Sequence, residues 1–321
     1  MIRSLVLVAA SLFSAGSLQE AMAQGYPTRA VKMVVGMAPG GTTDVVARLL
    51  SQKLGEKLGQ PVLVENRAGG GANIGTEAVA RSPADGYTLL LATSTQTVNV
   101  SLYRKLPYDL TRDFVAVSLV ATTPSILVVH PSVPVTSVEE LVAYARARPG
   151  KLTYASAGSG SATHLATELF KSIAGIDLVH IPYKGSGPAM TDVLSGQVDV
   201  MFGFNPGQVM QYAKAGKLRP LAITTEDRLS SFPKLPTMQE AGVSGYEAST
   251  WYGVLAPAGL SPEVVARLNA QIAGAVNELG PSLAEIGAYP LRSTPEQFAG
   301  FLQKEIAKWA KVIQRSGAHV E

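Results

Sequence analysis

Short apolar runs rich in β-branched residues alternate with helical patterns along this chain from residue 30 onward. Val31–Met37 is the first of these runs, and the helix after it has one apolar face formed by Val46, Leu50, Leu54 and Leu58. Runs that are apolar at nearly every position are typical of strands buried on both faces, as in a parallel sheet. The alternation therefore predicts an α/β fold whose mostly parallel sheets are covered by helices on both faces.

The chain has 321 residues, which predicts two lobes rather than one. Two short crossovers between predicted strands, near Thr122–Ser125 and near Thr224–Thr225, predict a hinge between the lobes. With these boundaries, residues 24–124 and 224–321 form the first lobe, and residues 125–223 form the second.

The first 23 residues are typical of a secretory signal peptide. Arg3 supplies the positive start, Leu5–Leu18 is a short apolar run, and a small-residue cleavage site ends at Ala23. An uncleaved membrane anchor is the alternative, but the run is short for a membrane span. The chain has no cysteine, which excludes a lipid-anchored cysteine, and a chain of this length can bury a core without disulfides. We therefore expect cleavage after Ala23 and a periplasmic protein.

The composition argues against several classes of partner and cofactor. Only 16% of residues are charged, the net charge is +3, and the basic residues are scattered, so no nucleic-acid partner is expected. Four separated histidines without cysteine give no metal-ligand spacing, so no metal is expected. Neither a Walker phosphate loop nor a dinucleotide fingerprint is present in the sequence, and no cofactor is predicted.

Three loops of one kind follow predicted strands: Pro39–Asp44, Thr93–Thr97 and Ser156–Thr163. Each offers backbone N–H groups and small hydroxyls. Ligands of open parallel sheets bind at the carboxyl ends of the strands, which is where these loops begin. Because two loops belong to the first lobe and one to the second, a ligand is expected between the lobes.

The loop Ser156–Ser161 is the most informative of the three, because it leads directly into a helix. Leu165, Leu169 and Ile173 predict one buried stripe on that helix, and Ser161 or Thr163 is a suitable N-cap. Free N–H groups, hydroxyls and the positive end of a helix dipole together favour an anion such as a carboxylate or phosphate. The alternative is that the glycines only turn the chain.

The same loops lack an obvious catalytic set. His164 lies close in sequence to Ser159 and Ser161, which permits a hydrolase hypothesis, but a triad also needs an orienting carboxylate and an oxyanion hole. The Gly-x-Ser-x-Gly nucleophile motif is absent from the sequence. Asp44 opens the first helix, where an acid stabilises the positive helix end, and contact with a ligand is the other possibility. No catalytic residue is predicted.

A series of ordered motifs runs along the whole mature chain: Tyr26-Pro27-Thr28-Arg29, Pro39-Gly40-Gly41 with Asp44 and Ala47-Arg48, Glu65-Asn66-Arg67, Ile74-Gly75, Ala84-Asp85-Gly86-Tyr87-Thr88-Leu89, Leu102-Tyr103, Leu106-Pro107-Tyr108-Asp109, Gly158-x-Gly160-Ser161 with His164-Leu165, Pro182-Tyr183-Lys184-Gly185, Gly196-Gln197-Val198-Asp199, Leu235-Pro236-Thr237, Glu240-Ala241-Gly242, and Glu305 with Lys308-Trp309. Together these motifs resemble the Bug-type receptors, which are the substrate-binding proteins of tripartite tricarboxylate transporters.

The resemblance implies a two-lobed periplasmic-binding-protein fold of the Venus-flytrap kind that captures small organic anions. It also implies which residues line the cleft: Gly40, Gly41, Thr42, Thr43, Thr93, Ser94, Thr95, Ser156, Ser159, Gly160, Ser161, Thr163 and Asn205. The chain departs from the family at Gly36-Met37-Ala38, where proline and an aromatic residue are common, and at Thr95-Gln96-Thr97, where a histidine is frequent. The ligand of a typical relative is therefore not assumed.

The expected function is that of a monomeric solute receptor which binds a small organic acid and presents it to membrane transporter subunits. Two alternatives remain open at the level of sequence. One is an exported α/β hydrolase that uses His164. The other is a sensory subunit that binds the same kind of ligand and signals to a membrane kinase.

Overall fold

The computed structural model describes residues 25–204 and 206–317 of the chain. The predicted signal peptide and Asn205 lie outside the described residues. The strands are β1 (Val31–Val35), β2 (Val62–Asn66), β3 (Thr88–Thr93), β4 (Phe114–Thr123), β5 (Ser125–Val129), β6 (Thr153–Ser156), β7 (Val179–Pro182), β8 (Val200–Phe204), β9 (Arg219–Ile223), β10 (Thr250–Pro257) and β11 (Tyr289–Pro290). The helices are α1 (Thr42–Leu58), α2 (Asn73–Ala80), α3 (Ser94–Leu102), α4 (Val138–Arg146), α5 (Ala162–Ala174), α6 (Ser186–Leu194), α7 (Pro206–Lys214), α8 (Pro262–Glu278), α9 (Gly280–Glu285) and α10 (Pro295–Ser316).

The strands form two separate sheets. The first sheet has the order β11-β4-β10-β3-β1-β2, and the second has the order β7-β6-β8-β5-β9. In the first sheet β1 pairs in parallel with β2 and β3, whereas β10 is antiparallel to both β3 and β4. In the second sheet β6 pairs in parallel with β7 and β8, whereas β5 is antiparallel to β8 and β9. Both sheets are therefore mixed: in the first, β10 and β11 run against the other four strands, and in the second, β5 runs against the other four.

Helices cover both faces of the first sheet, as the apolar runs predict. Val31, Met33 and Val35 of β1 belong to one core cluster with residues of α1 and α8. Val34, between them, belongs to a different cluster with residues of α2 and α10. Successive side chains of a strand point to opposite faces, so both faces of β1 are buried. The two-sheet α/β architecture with flanking helices confirms the predicted fold class.

The crossovers between the two sheets lie side by side. β4 ends at Thr123 and β5 begins at Ser125, while β9 ends at Ile223 just before Thr224. The backbone N–H of Ser125 donates to Thr224 Oγ1 at 2.9 Å, and the backbone N–H of Thr224 donates to the Ser125 carbonyl at 3.0 Å. The connection from β9 to β10 covers residues 224–249, and its two ends meet where Thr224 Oγ1 lies 3.4 Å from Ser249 Oγ. The β4–β5 connection and both ends of this segment therefore lie together, as a hinge requires.

Helix α10 extends from one lobe to the other. Its first half packs on the first sheet through Phe298 and Leu302, and its second half contributes Trp309 and Ile313 to the core of the second lobe. At the midpoint, the Glu305 side chain is buried and accepts hydrogen bonds from both tryptophans of the chain, at 3.2 Å from Trp251 and 3.0 Å from Trp309. α10 is therefore a second connection between the lobes, beside the crossovers.

Two predictions about individual elements are wrong. Thr93–Thr97 is not a loop, because α3 starts at Ser94 directly after β3. Ile173 is not buried with Leu165 and Leu169, since 38% of its side chain is exposed. A helix has 3.6 residues per turn, so positions four apart rotate steadily around it, and by Ile173 the stripe has left the core. Phe170 and Ala174 are buried in its place.

Candidate functional site

The loop after β1 leaves the start of α1 uncapped. Gly41 is the N-cap residue of α1 and has an extended conformation, and the helix has no side-chain cap hydrogen bond at its start. Gly40, Gly41 and Thr42 are exposed, and Thr43 is half-buried. The first N–H groups of a helix have no intrahelical partner, and together with the helix dipole they attract an anion. This helix start is therefore exposed and has the features that favour an anion.

Asp44 holds this loop in shape. Its carboxylate accepts hydrogen bonds from the backbone N–H of Gly40 at 3.0 Å, from Arg48 Nε at 2.9 Å and from Asn66 Nδ2 at 2.9 Å. The hydrogen bond from Arg48 is the main reason that the pKa of Asp44 is lowered to about 2. The carboxylate oxygens of Asp44 are already hydrogen-bonded and its side chain is buried. Of the two roles considered for Asp44, this favours a structural role at the helix start over contact with a ligand.

Tyr252 connects the loop after β1 to β3 and to the hinge. It lies on β10 directly opposite Thr93 of β3. Its hydroxyl is hydrogen-bonded to Thr43 and accepts from Thr123 Oγ1 at 3.4 Å. Burial raises the pKa of Tyr252, which keeps the phenol neutral. Sequence reasoning missed this residue, because its position depends on the pairing of two strands that are far apart in the sequence.

The residues after β3 form the start of α3 and are largely buried. Thr93 is the N-cap in a capping box, in which its hydroxyl accepts from Thr95 N–H at 3.2 Å and Gln96 Oε1 accepts from Thr93 N–H at 2.8 Å. Only 3% of Thr93 and 8% of Ser94 are exposed, and Thr95 is half-buried. The Thr93 side chain is therefore occupied in capping the helix, and Thr95 is the most accessible of the three.

The hydroxyls of the second-lobe loop, Ser156–Thr163, are used within the loop itself. Ser161 is the N-cap of α5, which confirms one of the two predicted caps: its Oγ accepts from His164 N–H at 3.3 Å and donates to the Gly158 carbonyl at 2.6 Å. Thr163 Oγ1 accepts from Ala157 N–H at 2.8 Å, and the buried Ser156 Oγ accepts from Gly158 N–H at 3.1 Å. Of the predicted hydroxyl residues of this loop, Ser159 is the exposed one.

Gly160 brings this loop against the first lobe. It has a φ of +77°, and a β-carbon added there would lie 3.6 Å from Leu102 of α3. Its backbone N–H donates to His164 Nδ1 at 3.0 Å. The second-lobe loop thus lies beside the C-terminal end of α3, whereas Thr93–Thr95 lie at the N-terminal end of the same helix, near Tyr252. Asn205, another predicted residue of the second lobe, lies outside the described residues.

The hydrolase alternative has little support in this geometry. His164 Nδ1 accepts from a backbone amide rather than from a serine hydroxyl, and Ser161 Oγ donates to a carbonyl. A nucleophile must be hydrogen-bonded to its base, and within residues 25–204 and 206–317 no such bond joins His164 to Ser159 or Ser161 through an imidazole nitrogen.

The described part of the chain gives no sign of a metal site or of a membrane span. There, no group of three His, Asp or Glu side chains could hold a metal ion, and none of the helices is both long and apolar enough to cross a bilayer. A cavity of about 860 Å³ lies on the second lobe between α4 and the segment 234–243. It contains none of the predicted ligand residues, and its charged lining residues carry both signs.

Two α/β lobes joined by closely spaced connections, with hydroxyl-rich loops and helix starts after strands in both, have the architecture of two-lobed solute-binding proteins. Comparison with known proteins gives the family. The model of the tripartite tricarboxylate transporter family receptor matches residues 46–318, and this chain belongs to that family.

Individual relatives extend over nearly the whole chain. Protein BugT of Bordetella pertussis is 42% identical, and the match covers 100% of this chain and 99% of that protein. The solved structure of Rpa4515 from R. palustris with adipate is 41% identical with a TM-score of 0.73, covering 92% of this chain and 100% of the other. That of MatC from Rhodopseudomonas palustris with bound malate is 32% identical with a TM-score of 0.70, covering 90% and 100%. The family is one of periplasmic solute-binding receptors, as the motifs of the sequence indicate.

Proposed function

We propose that this chain is an exported receptor that captures a small carboxylate-bearing metabolite between its lobes and delivers it to the membrane subunits of a tripartite tricarboxylate transporter. The observation that carries the proposal is the open start of α1, where Gly41 provides no side-chain cap and the adjacent residues are exposed. An oxyanion can accept hydrogen bonds from these first-turn amides without a buried cation beside it. Adipate and malate, named in the structures of two relatives, are dicarboxylates.

The proposal assigns roles to the predicted residues of both lobes. The amides of Gly41–Thr43 bind a carboxylate from the first lobe, with Thr95 on the neighbouring helix start. Ser159 and the first-turn amides of α5 contact the anion from the second lobe, while Ser156, Ser161 and Thr163 shape their loop. The division into lobes at residues 124/125, cleavage after Ala23, a monomeric state and the absence of catalysis belong to the same proposal. We place the return to the first lobe between Tyr246 and β10 rather than at residues 223/224, because Met238, Val243 and Tyr246 pack in the core of the second lobe.

A thermal-shift screen of the mature chain against monocarboxylates, dicarboxylates, aromatic acids and amino acids tests the ligand class. A ligand present at about 100 times its dissociation constant adds about 2.7 kcal/mol to the free energy of unfolding. We expect stabilisation by one group of carboxylates and no turnover of the ligand. Stabilisation by sugars or cations alone would contradict the proposal.

The site itself can be tested by removing one amide at a time. Proline is compatible with the first position of a helix, and Pro262 and Pro295 occupy that region of α8 and α10. Thr42→Pro and Ala162→Pro each remove one first-turn N–H, and the preceding residues, Gly41 and Ser161, already have the extended conformation that proline requires. We expect each variant to fold normally and to bind the ligand about tenfold more weakly.

Thr42→Ala is the matched control, because it removes the hydroxyl and keeps the amide. It should bind within about threefold of the unsubstituted chain if the backbone is the donor. Equal binding by Thr42→Pro and the unsubstituted chain would show that the start of α1 does not hold the anion.

Delivery to a transporter, rather than signalling, needs a cellular measurement. Uptake of the labelled acid should require this chain and the membrane subunits together, and removal of either should abolish it. Loss of a transcriptional response with unchanged uptake would instead favour the sensory alternative.

A further inference from the structure

Three parallel aromatic rings lie beneath the second-lobe loop. Tyr154 of β6 and His180 of β7 are register neighbours in the parallel pair, and their ring centroids are 4.7 Å apart. The imidazole of His164, from the first turn of α5, lies 4.2 Å from that of His180 with an angle of 10° between the planes. The rings come from three different elements, so their stacking fixes α5 against the edge of the second sheet.

Both imidazoles are hydrogen-bonded to the loop above them. His180 Nε2 lies 2.6 Å from Ser156 Oγ at the start of the loop, and His164 Nδ1 accepts from Gly160 N–H near its end. Ser156 Oγ in turn accepts from Gly158 N–H. The histidine pair therefore contacts the loop at two points, Ser156 and Gly160, on either side of Gly158.

The bond from Gly160 requires an unprotonated Nδ1. A neutral imidazole has one nitrogen lone pair that can accept, whereas an imidazolium has N–H on both nitrogens and accepts nothing. A proton on Nδ1 of His164 would set two donors against each other. Two charged rings at the observed separation would also repel each other strongly.

The charged groups around the pair act in opposite directions, because Glu168 raises the pKa of both imidazoles and Lys171 lowers it. Glu168 and Lys171, on the same helix, are paired with each other at 2.8 Å, and Tyr154 donates to Glu168 at 2.7 Å. Arg315 of α10 lines the same hollow as these two side chains. The side facing α3 is apolar, with Val98 and Leu102 in the same core cluster as Tyr154. Burial lowers the pKa of His164, and burial together with the charge of His164 lowers the pKa of His180 to about 4.

We propose that His164 and His180 are positioning residues, which as a stacked neutral pair hold the Ser156–Thr163 loop in the shape that receives the anion and release it when either ring is protonated. The inference rests on the proposed function, because its consequence concerns the anion: affinity for the anion should fall as the pH falls. A histidine that bound the anion directly would have the opposite effect, because protonation would then strengthen binding.

The loop can be tested without a ligand, by NMR of the ¹⁵N-labelled chain between about pH 8 and about pH 4, because the pKa of both imidazoles is lowered and that of His180 is about 4. We expect the imidazole of His164 to carry its proton on Nε2 at the upper end of this range. The Gly160 amide resonance should shift with the same midpoint as the titration of the pair. A Gly160 resonance that does not move while His164 becomes protonated would overturn the inference.

Affinity for adipate and malate, measured over the same range, tests the consequence for binding. In His164→Gln the amide oxygen can still accept from Gly160 but does not titrate, so this variant should bind within about threefold of the unsubstituted chain at high pH. The affinity of the unsubstituted chain is divided by the affinity of His164→Gln at each pH, which removes the contribution of ligand ionisation. This ratio should fall by at least about threefold on acidification.

Two further variants separate positioning from simple packing. His164→Leu cannot accept the bond from Gly160 and should bind weakly at every pH. His130→Gln replaces a histidine whose ring contacts Ser132, away from the loop, and should leave the pH profile unchanged. A ratio that rises on acidification would overturn the inference. Failure of every carboxylate to bind would instead reject the proposed function, and the Gly160 titration would still decide whether the pair holds the loop.

Discussion

The loop after β1 and the loop after β6 have similar compositions, yet the structure uses their polar groups in opposite ways. In the first lobe a single carboxylate, Asp44, holds the loop from inside the helix, and the helix start remains uncapped behind Gly41. In the second lobe the loop holds itself through Ser161 and Thr163, and two histidines support it from below. Glycine and hydroxyl residues in a loop therefore do not by themselves identify ligand contacts, because some of them only shape the backbone.

The largest effect is expected from removal of the carboxylate that holds the first loop. Asp44→Ala leaves Gly40 N–H and Asn66 Nδ2 without the acceptor they have in the structure. We expect a loss of about 3 kcal/mol in the free energy of unfolding, measured with urea, and loss of ligand binding. Asp44→Asn is the control, because it preserves the shape and should lose less. Unchanged stability of Asp44→Ala would show that the loop holds itself, as in the second lobe.

The same carboxylate predicts an acid-sensitive first lobe. The pKa of Asp44 is lowered to about 2 in the folded chain, against about 3.9 in an unfolded one. Its contribution to stability is therefore complete above about pH 4 and is lost as the pH falls towards about 2. Unfolding of the unsubstituted chain should show this loss, and Asp44→Asn should not. Identical acid profiles for the two chains would contradict the assignment.

A smaller effect is expected at the buried hydroxyl of the second loop. Thr163→Val keeps the shape of the side chain but leaves Ala157 N–H without its acceptor, so it should cost about 1–3 kcal/mol. Thr167→Val is the matched control on the same buried face, because the Thr167 hydroxyl donates to a helix carbonyl that is already part of the helix ladder. Equal losses in the two variants would mean that Thr163 contributes only packing.

Removal of the cap of α5 should be milder. Ser161→Ala loses the hydroxyl that accepts from His164 N–H, and such N-cap substitutions cost about 1 kcal/mol. Ligand binding should weaken because the loop is less well held, and more so in combination with Thr42→Pro, which removes an amide of the first-lobe loop. If binding by the double variant matches that of the unsubstituted chain, the two loops do not form the site.

The smallest change in stability is expected from giving the first loop the cap that the second already has. Gly41 has no heavy atom within 4 Å of an added β-carbon, so Gly41→Ser should be accommodated. A serine N-cap should stabilise α1 by a few tenths of a kcal/mol and at the same time weaken ligand binding, because its hydroxyl competes for the first-turn amides. Gly41→Ala is the control and should leave binding unchanged. Tighter binding by Gly41→Ser would contradict an anion at this helix start.

Most of the fold and part of the site could be predicted from the sequence. The helix predicted from the apolar face of Val46, Leu50, Leu54 and Leu58 is α1, where all four are buried, and Ser161 was one of two candidate caps of α5. The contacts of Tyr252 and His180 could not be predicted, because each meets residues from other elements across a strand pairing. The start of α3 was missed because a strand leads into it with no intervening loop.

The sequence by itself determined the features that depend on neighbouring residues: the period of the apolar positions, the caps, and hence an α/β chain with helices on both faces of its sheets. The tertiary structure alone decided which hydroxyls remain available. Thr43, Thr93 and Thr123 meet around Tyr252 only because β10 runs antiparallel between β3 and β4. Strand order and register arise from the packing of the whole core, and a local pattern of residues carries no information about a partner that is a hundred positions away.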